Sequence, residues 1–131
     1  MKRYMIEADW GFVKTITDIF DSESTARMKA KEYSERPASA KAYKVAEIEM
    51  PEDPDERFLK AVERLTAENC CIDDEGRRSI HICWGDWKHD HLRADHVMEL
   101  YGFEKVGAEV DEEDGGDAYS AWRYYREVQH G

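Results

Sequence analysis

Apolar residues recur along this chain with two different periods, and the two alternate in blocks. Over residues 3–8, Tyr4, Ile6 and Ala8 fall on every second position, and residues 12–20 are rich in Phe, Val, Ile and Thr. A period of two is that of a half-buried strand. The Asp9-Trp10-Gly11 turn between the two runs therefore predicts a hairpin. Ala26, Ala30 and Tyr33 then recur at helical spacing, behind Asp21 or Ser22 as the opening residue. Glu23 stands where a helix N-terminus favours negative charge, and Arg36-Pro37 ends the element, because the residue before a proline avoids the helical region. Over residues 40–50, Ala42, Ala46, Ile48 and Met50 alternate with charged neighbours and predict a third strand.

Pro51-Glu52-Asp53-Pro54 is the clearest boundary in the chain. Asp53, Pro54 and Glu56 have the form of a helix N-cap, a proline at the first helical position and a carboxylate at the third. Phe58, Leu59, Val62 and Leu65 supply an apolar stripe over residues 55–68, and residues 70–78 read as a polar connection. Residues 79–84 alternate again, with Ile80, Ile82 and Trp84 on one face and Ser79, His81 and Cys83 on the other. Gly85-Asp86 breaks that pattern, residues 87–89 read as loop, and Asp90 is placed to cap a helix whose stripe is Ala94, Val97, Met98 and Tyr101. Gly102 stops this helix in the left-handed conformation, with Phe103 folding back on its last turn. Residues 103–110 form a further strand, 111–117 an acidic glycine-bearing turn, and 118–128 a last strand carrying Tyr119, Trp122, Tyr124 and Tyr125.

The order ββαβ-αβαββ predicts an α+β fold. About six strands in an antiparallel or mixed sheet carry three helices on one face. One domain spans residues 1–131, with a sub-boundary at 51–54. No apolar run approaches the roughly 20 residues that span a bilayer, and the first ten residues lack the apolar core of a secretory signal. Three cysteines, an odd number, do not fit a disulfide framework, so a reducing cytoplasm is expected.

Charge changes the picture most. The net charge is −11, and it is unevenly placed. Residues 1–50 carry nine Lys/Arg and nine Asp/Glu, whereas residues 51–131 carry ten and twenty-one, 10 − 21 = −11. The second part repels phosphate backbones, so no direct nucleic-acid binding is expected. It suits a basic protein partner, a cation, or mimicry of a nucleic acid.

Four of five histidines fall in residues 79–103. His91 and Asp95, at i and i+4, share a helical face, and His89 can be brought beside them, a donor set that suits zinc. A metal-dependent hydrolase with His89, His91 and Asp95 as ligands and His96 as base is therefore one reading. A second metal set, His81 and Cys83 with Cys70 and Cys71, matches no ribbon or finger, and the cysteines read better as small apolar fillers. The spacing of the 111–117 turn does not fit an EF-hand loop, so it reads as a solvated hairpin tip. The run Tyr101-Gly102-Phe103-Glu104-Lys105-Val106-Gly107, entered from a helix and closed by an aromatic strand, resembles the end of the N-acetyltransferase family. The pyrophosphate-binding glycine loop of that family has no counterpart here, so acetyl-coenzyme A binding is not carried over.

No catalytic constellation stands out beyond these. The favoured reading is an acidic, non-enzymatic binding protein that needs no cofactor and engages a basic or nucleic-acid-binding protein, in an accessory or inhibitor role of the phage or mobile-element kind. Trp87 is its aromatic anchor, and Asp111, Glu112, Glu113 and Asp114 are its charged contacts. Tyr and Trp of the last strand also offer a surface for homo-oligomer formation.

Overall fold

The structure, a computed structural model, describes residues 1–83, 87–110 and 120–128, with backbone alone at 73, 83, 87–91 and 110. The chain divides into two compact units, Met1–Glu52 and Asp53–Gly131. The division falls inside the proline-flanked boundary read from the sequence. Together the units hold three helices and seven strands in two antiparallel sheets, an α+β architecture. No described helix is long and apolar enough to cross a membrane.

The first unit runs β1 (Lys2–Asp9), β2 (Lys14–Phe20), α1 (Glu23–Ser34), β3 (Ala42–Glu49), with strand order β2-β1-β3. The hairpin is closed by short-range bonds: the Trp10 amide donates to the Val13 carbonyl over 2.9 Å, and the Gly11 amide to Asp9 Oδ1 over 2.8 Å. Gly11 sits at φ +94°, where a side chain is strained. The Ser22 hydroxyl caps α1 by accepting from the Thr25 amide. The stripe of α1 is built from alanines, so helix and sheet approach closely. Ile6 and Ala26 are fully buried, Ala30 nearly so, and Tyr4, Phe20, Tyr33, Tyr43 and Val45 pack around them. The opposite face of the sheet carries Met5, Ile16, Ile19, Ala46 and Ile48.

A bulge interrupts the β1–β2 register: Ile6 faces Asp18 and Glu7 faces Ile16, which leaves Thr17 as the extra residue. Asp18 thereby shares a face with Ile6, and its carboxylate accepts from the Tyr33 hydroxyl over 2.7 Å. Burial, and then the bond to the Asp18 carboxylate, push the Tyr33 phenol from 10.0 up to about 12. A phenol whose folded value is raised favours the folded state while it keeps its proton. That contribution is full below pH 10.0 and is lost as pH rises through the window to about 12. Thermal unfolding followed from pH 9.5 upward should show a shallower alkaline decline in Tyr33→Phe than in the unmodified protein, and identical slopes would contradict this assignment.

The second unit runs α2 (Pro54–Ala67), β4 (Ile72–Glu75), β5 (Ser79–Cys83), α3 (Trp87–Leu100), β6 (Phe103–Val110), β7 (Ser120–Glu127), with strand order β4-β5-β7-β6. β5 and β6 both pair antiparallel with β7, so they run parallel to each other with β7 between them. The α3 crossover packs against β5, β6 and α2. The Asp53 carboxylate caps α2, with Pro54 at its first position. The helix ends in a Schellman motif, in which the Cys70 amide donates to the Leu65 carbonyl and the Asn69 amide to the Thr66 carbonyl, with Asn69 left-handed at φ +68°.

Three local expectations are corrected here. Leu59 is 50% exposed, and the buried face of α2 is Phe58, Ala61, Val62 and Leu65, since Leu59 lies one helical step of about 100° round from Phe58. Residues 72–75 are an edge strand rather than part of a polar connection, with Glu75 opposite Ile80 and Asp74 opposite His81. Edge strands favour charge, which hides the alternation that announces central ones. Finally, α3 begins at Trp87, so residues 87–89 are helical and Asp90 lies inside the helix rather than at its cap. Neither glycine nor proline interrupts residues 87–90, and the helix extends back towards the Gly85-Asp86 break.

Candidate functional site

The second unit draws its side-chain chemistry from three sets of ion pairs set against one apolar core. Ile80 and Ile82 of β5, Ala94, Val97 and Met98 of α3, and Phe103 and Ala121 are all buried. Along β7, Ala121, Arg123 and Tyr125 alternate onto one face and are buried, while Tyr124 and Arg126 are exposed. A guanidinium on a buried face needs a carboxylate, and Asp95 of α3 supplies it. Arg123 Nε bonds Asp95 Oδ1 over 3.2 Å, Arg123 Nη2 pairs with Oδ2, and the Tyr125 hydroxyl donates to Oδ1 over 3.0 Å. Burial acts against the Arg123 charge, but its bonds to Asp95 and Tyr125 outweigh that and hold the guanidinium above its ordinary value. Burial and then the Asp95 charge push the Tyr125 phenol well up.

The second set lies at the end of α2. The Glu68 side chain is 0% exposed and is held by Arg64 Nε at 3.0 Å and Arg93 Nη1 at 2.9 Å. Its backbone caps the helix C-terminus, where a negative charge is disfavoured, so the two arginines offset the helix dipole as well as the burial. Burial raises the neighbouring Tyr101 phenol, with Arg64 opposing and Glu68 assisting. In the third set, Arg57 and Arg78 bracket an aromatic pair. Phe58 and Phe103 meet edge to face with centroids 5.3 Å apart. The Arg57 carbon lies 5.2 Å from the Phe103 centroid, and that of Arg78 lies 5.5 Å from Phe103 and 5.8 Å from Phe58. Arg57 also donates to the Tyr101 carbonyl and Glu127, and Arg78 to Asp55. The bond from Arg78 holds the Asp55 carboxyl below its ordinary value.

These sets bear directly on the residues singled out in sequence. Asp95, one of the three candidate metal ligands, has its carboxylate occupied by Arg123 and Tyr125. A metal would have to displace a buried guanidinium to use it. The side chains of His89 and His91 lie outside the described residues, as do Trp87, Asp111, Glu112, Glu113 and Asp114. Among the described residues no group of three or more His, Cys, Asp or Glu could hold a metal ion. His81 packs on Trp122 with ring centroids 5.1 Å apart, and Cys70 is buried while Cys71 is exposed. Sequence reasoning missed Arg123. The signal lies in the spacing of Ala121, Arg123 and Tyr125 at i, i+2 and i+4, which puts all three on the buried face of the strand.

Charge follows the division into units. Residues 1–52 carry nine Lys/Arg and ten Asp/Glu, 9 − 10 = −1, and residues 53–131 carry ten and twenty, 10 − 20 = −10. In the second unit Arg57, Lys60, Arg64, Arg77, Arg78, Arg93, Arg123 and Arg126 all pair with carboxylates of the same unit. Eight of its ten Lys/Arg are therefore paired within the unit, and its surplus charge is negative. No protein-family model, curated protein or solved structure matches this chain.

Proposed function

We propose that the chain is a non-catalytic binding protein whose acidic second unit engages a basic protein, one that itself handles nucleic acid. The supporting observation is the excess of ten negative charges in residues 53–131, in a unit whose described arginines are bound to its own carboxylates. Such a surface attracts cationic partners over several ångströms, speeds encounter, and loses its pull as salt rises. An accessory or inhibitor that occupies a nucleic-acid-binding face would act in this way, with Trp87 and the 111–114 carboxylates as the contact set.

The test is a partner isolated on the immobilised protein and then measured as a purified pair. Reversing Asp111, Glu112, Glu113 and Asp114 to lysine should weaken the complex by about a hundredfold at low salt and slow association most. The loss should shrink at about 0.5 M salt, where screening acts over less than 5 Å. Unchanged affinity in the fourfold variant would remove these residues from the interface. A partner that binds equally well at low and high salt would overturn the electrostatic reading.

A further inference from the structure

We infer that the open edge of β3 in the first unit is a pairing surface for a second copy of this chain, joined strand to strand about a two-fold axis. β3 lies at the rim of its sheet, in the order β2-β1-β3. At its end the Met50 amide donates to the Met1 carbonyl over 2.8 Å, and the Met1 ammonium to the Met50 carbonyl over 3.1 Å. Bonded and unbonded positions alternate in an antiparallel ladder, so Ile48, Ala46 and Lys44 also turn their main chain towards β1. Tyr43, Val45, Glu47 and Glu49 turn theirs outward. Among the described residues none of those outward amides and carbonyls has a partner.

Open edges invite another strand, and bulges are one way of blunting them. The register of β2 is broken opposite Ile6 and Glu7, that of β4 between Ile72 and Asp74, and that of β6 between Lys105 and Gly107. Of the four edge strands, β3 alone keeps its register over all eight residues. The space beside it is open as well: a depression of about 480 Å³ lies between α1 and β3, with Ala30, Tyr43 and Val45 among its lining. Tyr43 and Val45 are only half-buried there, an apolar pair that an added strand would cover.

Charge names the occupant. The first unit carries −1 and the second −10, so identical copies meet at least cost through the first. Outward groups fall on every second residue, so the two-fold must set one residue of β3 against itself. Lys44 on Lys44 and Glu47 on Glu47 oppose like charges, and Ala46 on Ala46 sets Val45 against Glu47. Registers centred nearer the strand ends pair fewer residues. Val45 on Val45 sets Tyr43 against Glu47, Ala42 against Ile48 and Lys41 against Glu49, with apolar residues at the centre and opposite charges at the ends. Its one like-charge diagonal, Lys44 to its own copy, is offset by Glu7, which stands opposite Lys44 on β1. β3 is thus complementary to itself, as a two-fold interface requires.

Sedimentation equilibrium of the intact chain should show a reversible dimer whose fraction rises with protein concentration. Val45→Pro removes one outward amide and no bond to β1, a place where an edge strand tolerates proline. It should abolish the dimer and leave the circular dichroism unchanged. Cross-linking then tests the register with the β3 main chain intact, so the assignment does not depend on the folding of the proline variant. Cys71 is exposed, so the background is Cys71→Ser. Val45→Cys places its two sulfurs on residues about 5.5 Å apart and should give a disulfide-linked dimer on mild oxidation. Glu47→Cys sets its two copies about 13 Å apart and should give about tenfold less. A monomer at every concentration would overturn the assignment and leave the edge to a strand of another protein. A dimer that persists in Val45→Pro, or equal cross-linking in the two cysteine variants, would overturn it too.

Discussion

Replacing Phe103 with alanine is expected to remove about 3–5 kcal/mol from the stability of the second unit, the range for truncating a fully buried phenylalanine. Its side chain opens β6 at 0% exposure and meets Phe58 edge to face, a pair that adds about 0.5–1.5 kcal/mol beyond area. The loss therefore belongs at the upper end of the range. Arg57 and Arg78 both hold their guanidinium carbons over that ring, so alanine also leaves two cations without their aromatic surface. Phe103→Leu, which keeps an apolar side chain but loses three carbons and the ring contacts, should cost less than alanine, roughly 2 kcal/mol. Urea unfolding, with hydrogen exchange to assign the change to β6 and β7, separates the two. A loss below about 2 kcal/mol in the alanine variant would mean that Phe103 does not anchor a core.

The ion pair between Asp95 and Arg123 should respond asymmetrically. The Arg123 side chain is 3% exposed and that of Asp95 34%. Asp95→Ala strands a guanidinium that is buried and cannot shed its proton, at about 3 kcal/mol or more. Arg123→Met leaves a carboxylate that already keeps a third of its surface in water and can rehydrate, so it should cost about half as much. The double variant should be more stable than Asp95→Ala alone, because it removes the stranded charge. If Arg123→Met proves the costlier single change, the guanidinium is not the group at stake. The same cycle bears on metal chemistry, since a carboxylate that holds the core together is a poor candidate to swing towards an ion.

The two periods of apolar residues made most of this fold legible. The stripes Ala26, Ala30, Tyr33 and Ala94, Val97, Met98, Tyr101 are buried or half-buried in place, Asp53 and Pro54 open α2, and Gly102 takes φ +89°. What escaped lay where tertiary context overrides local pattern. The edge strand at Ile72–Glu75 is polar because water reaches it, and nothing in Asp73-Asp74-Glu75 distinguishes such a strand from a loop. The separation into two sheets was equally hidden, since strand spacing says which segments are extended but not which of them pair. The site was legible only in part. Asp95 reads as a metal ligand beside His91, whereas its carboxylate is held by Arg123, 28 residues later on another element, and no helical or strand period spans that distance.

The order β4-β5-β7-β6 fixes an order in time. Of these four strands, β7 comes last in sequence, yet it lies between β5 and β6 and supplies the pairing of both. A growing chain can form the β4–β5 hairpin as soon as Cys83 is free, but β6 then has no neighbour to join until Ser120 to Glu127 follow. Until that moment β5 and β6 are open edges, and Arg123 has not arrived to meet Asp95. The second unit therefore closes in one late, long-range step, which makes it slow to form and leaves its unfinished form vulnerable to proteases and to pairing with its own copies.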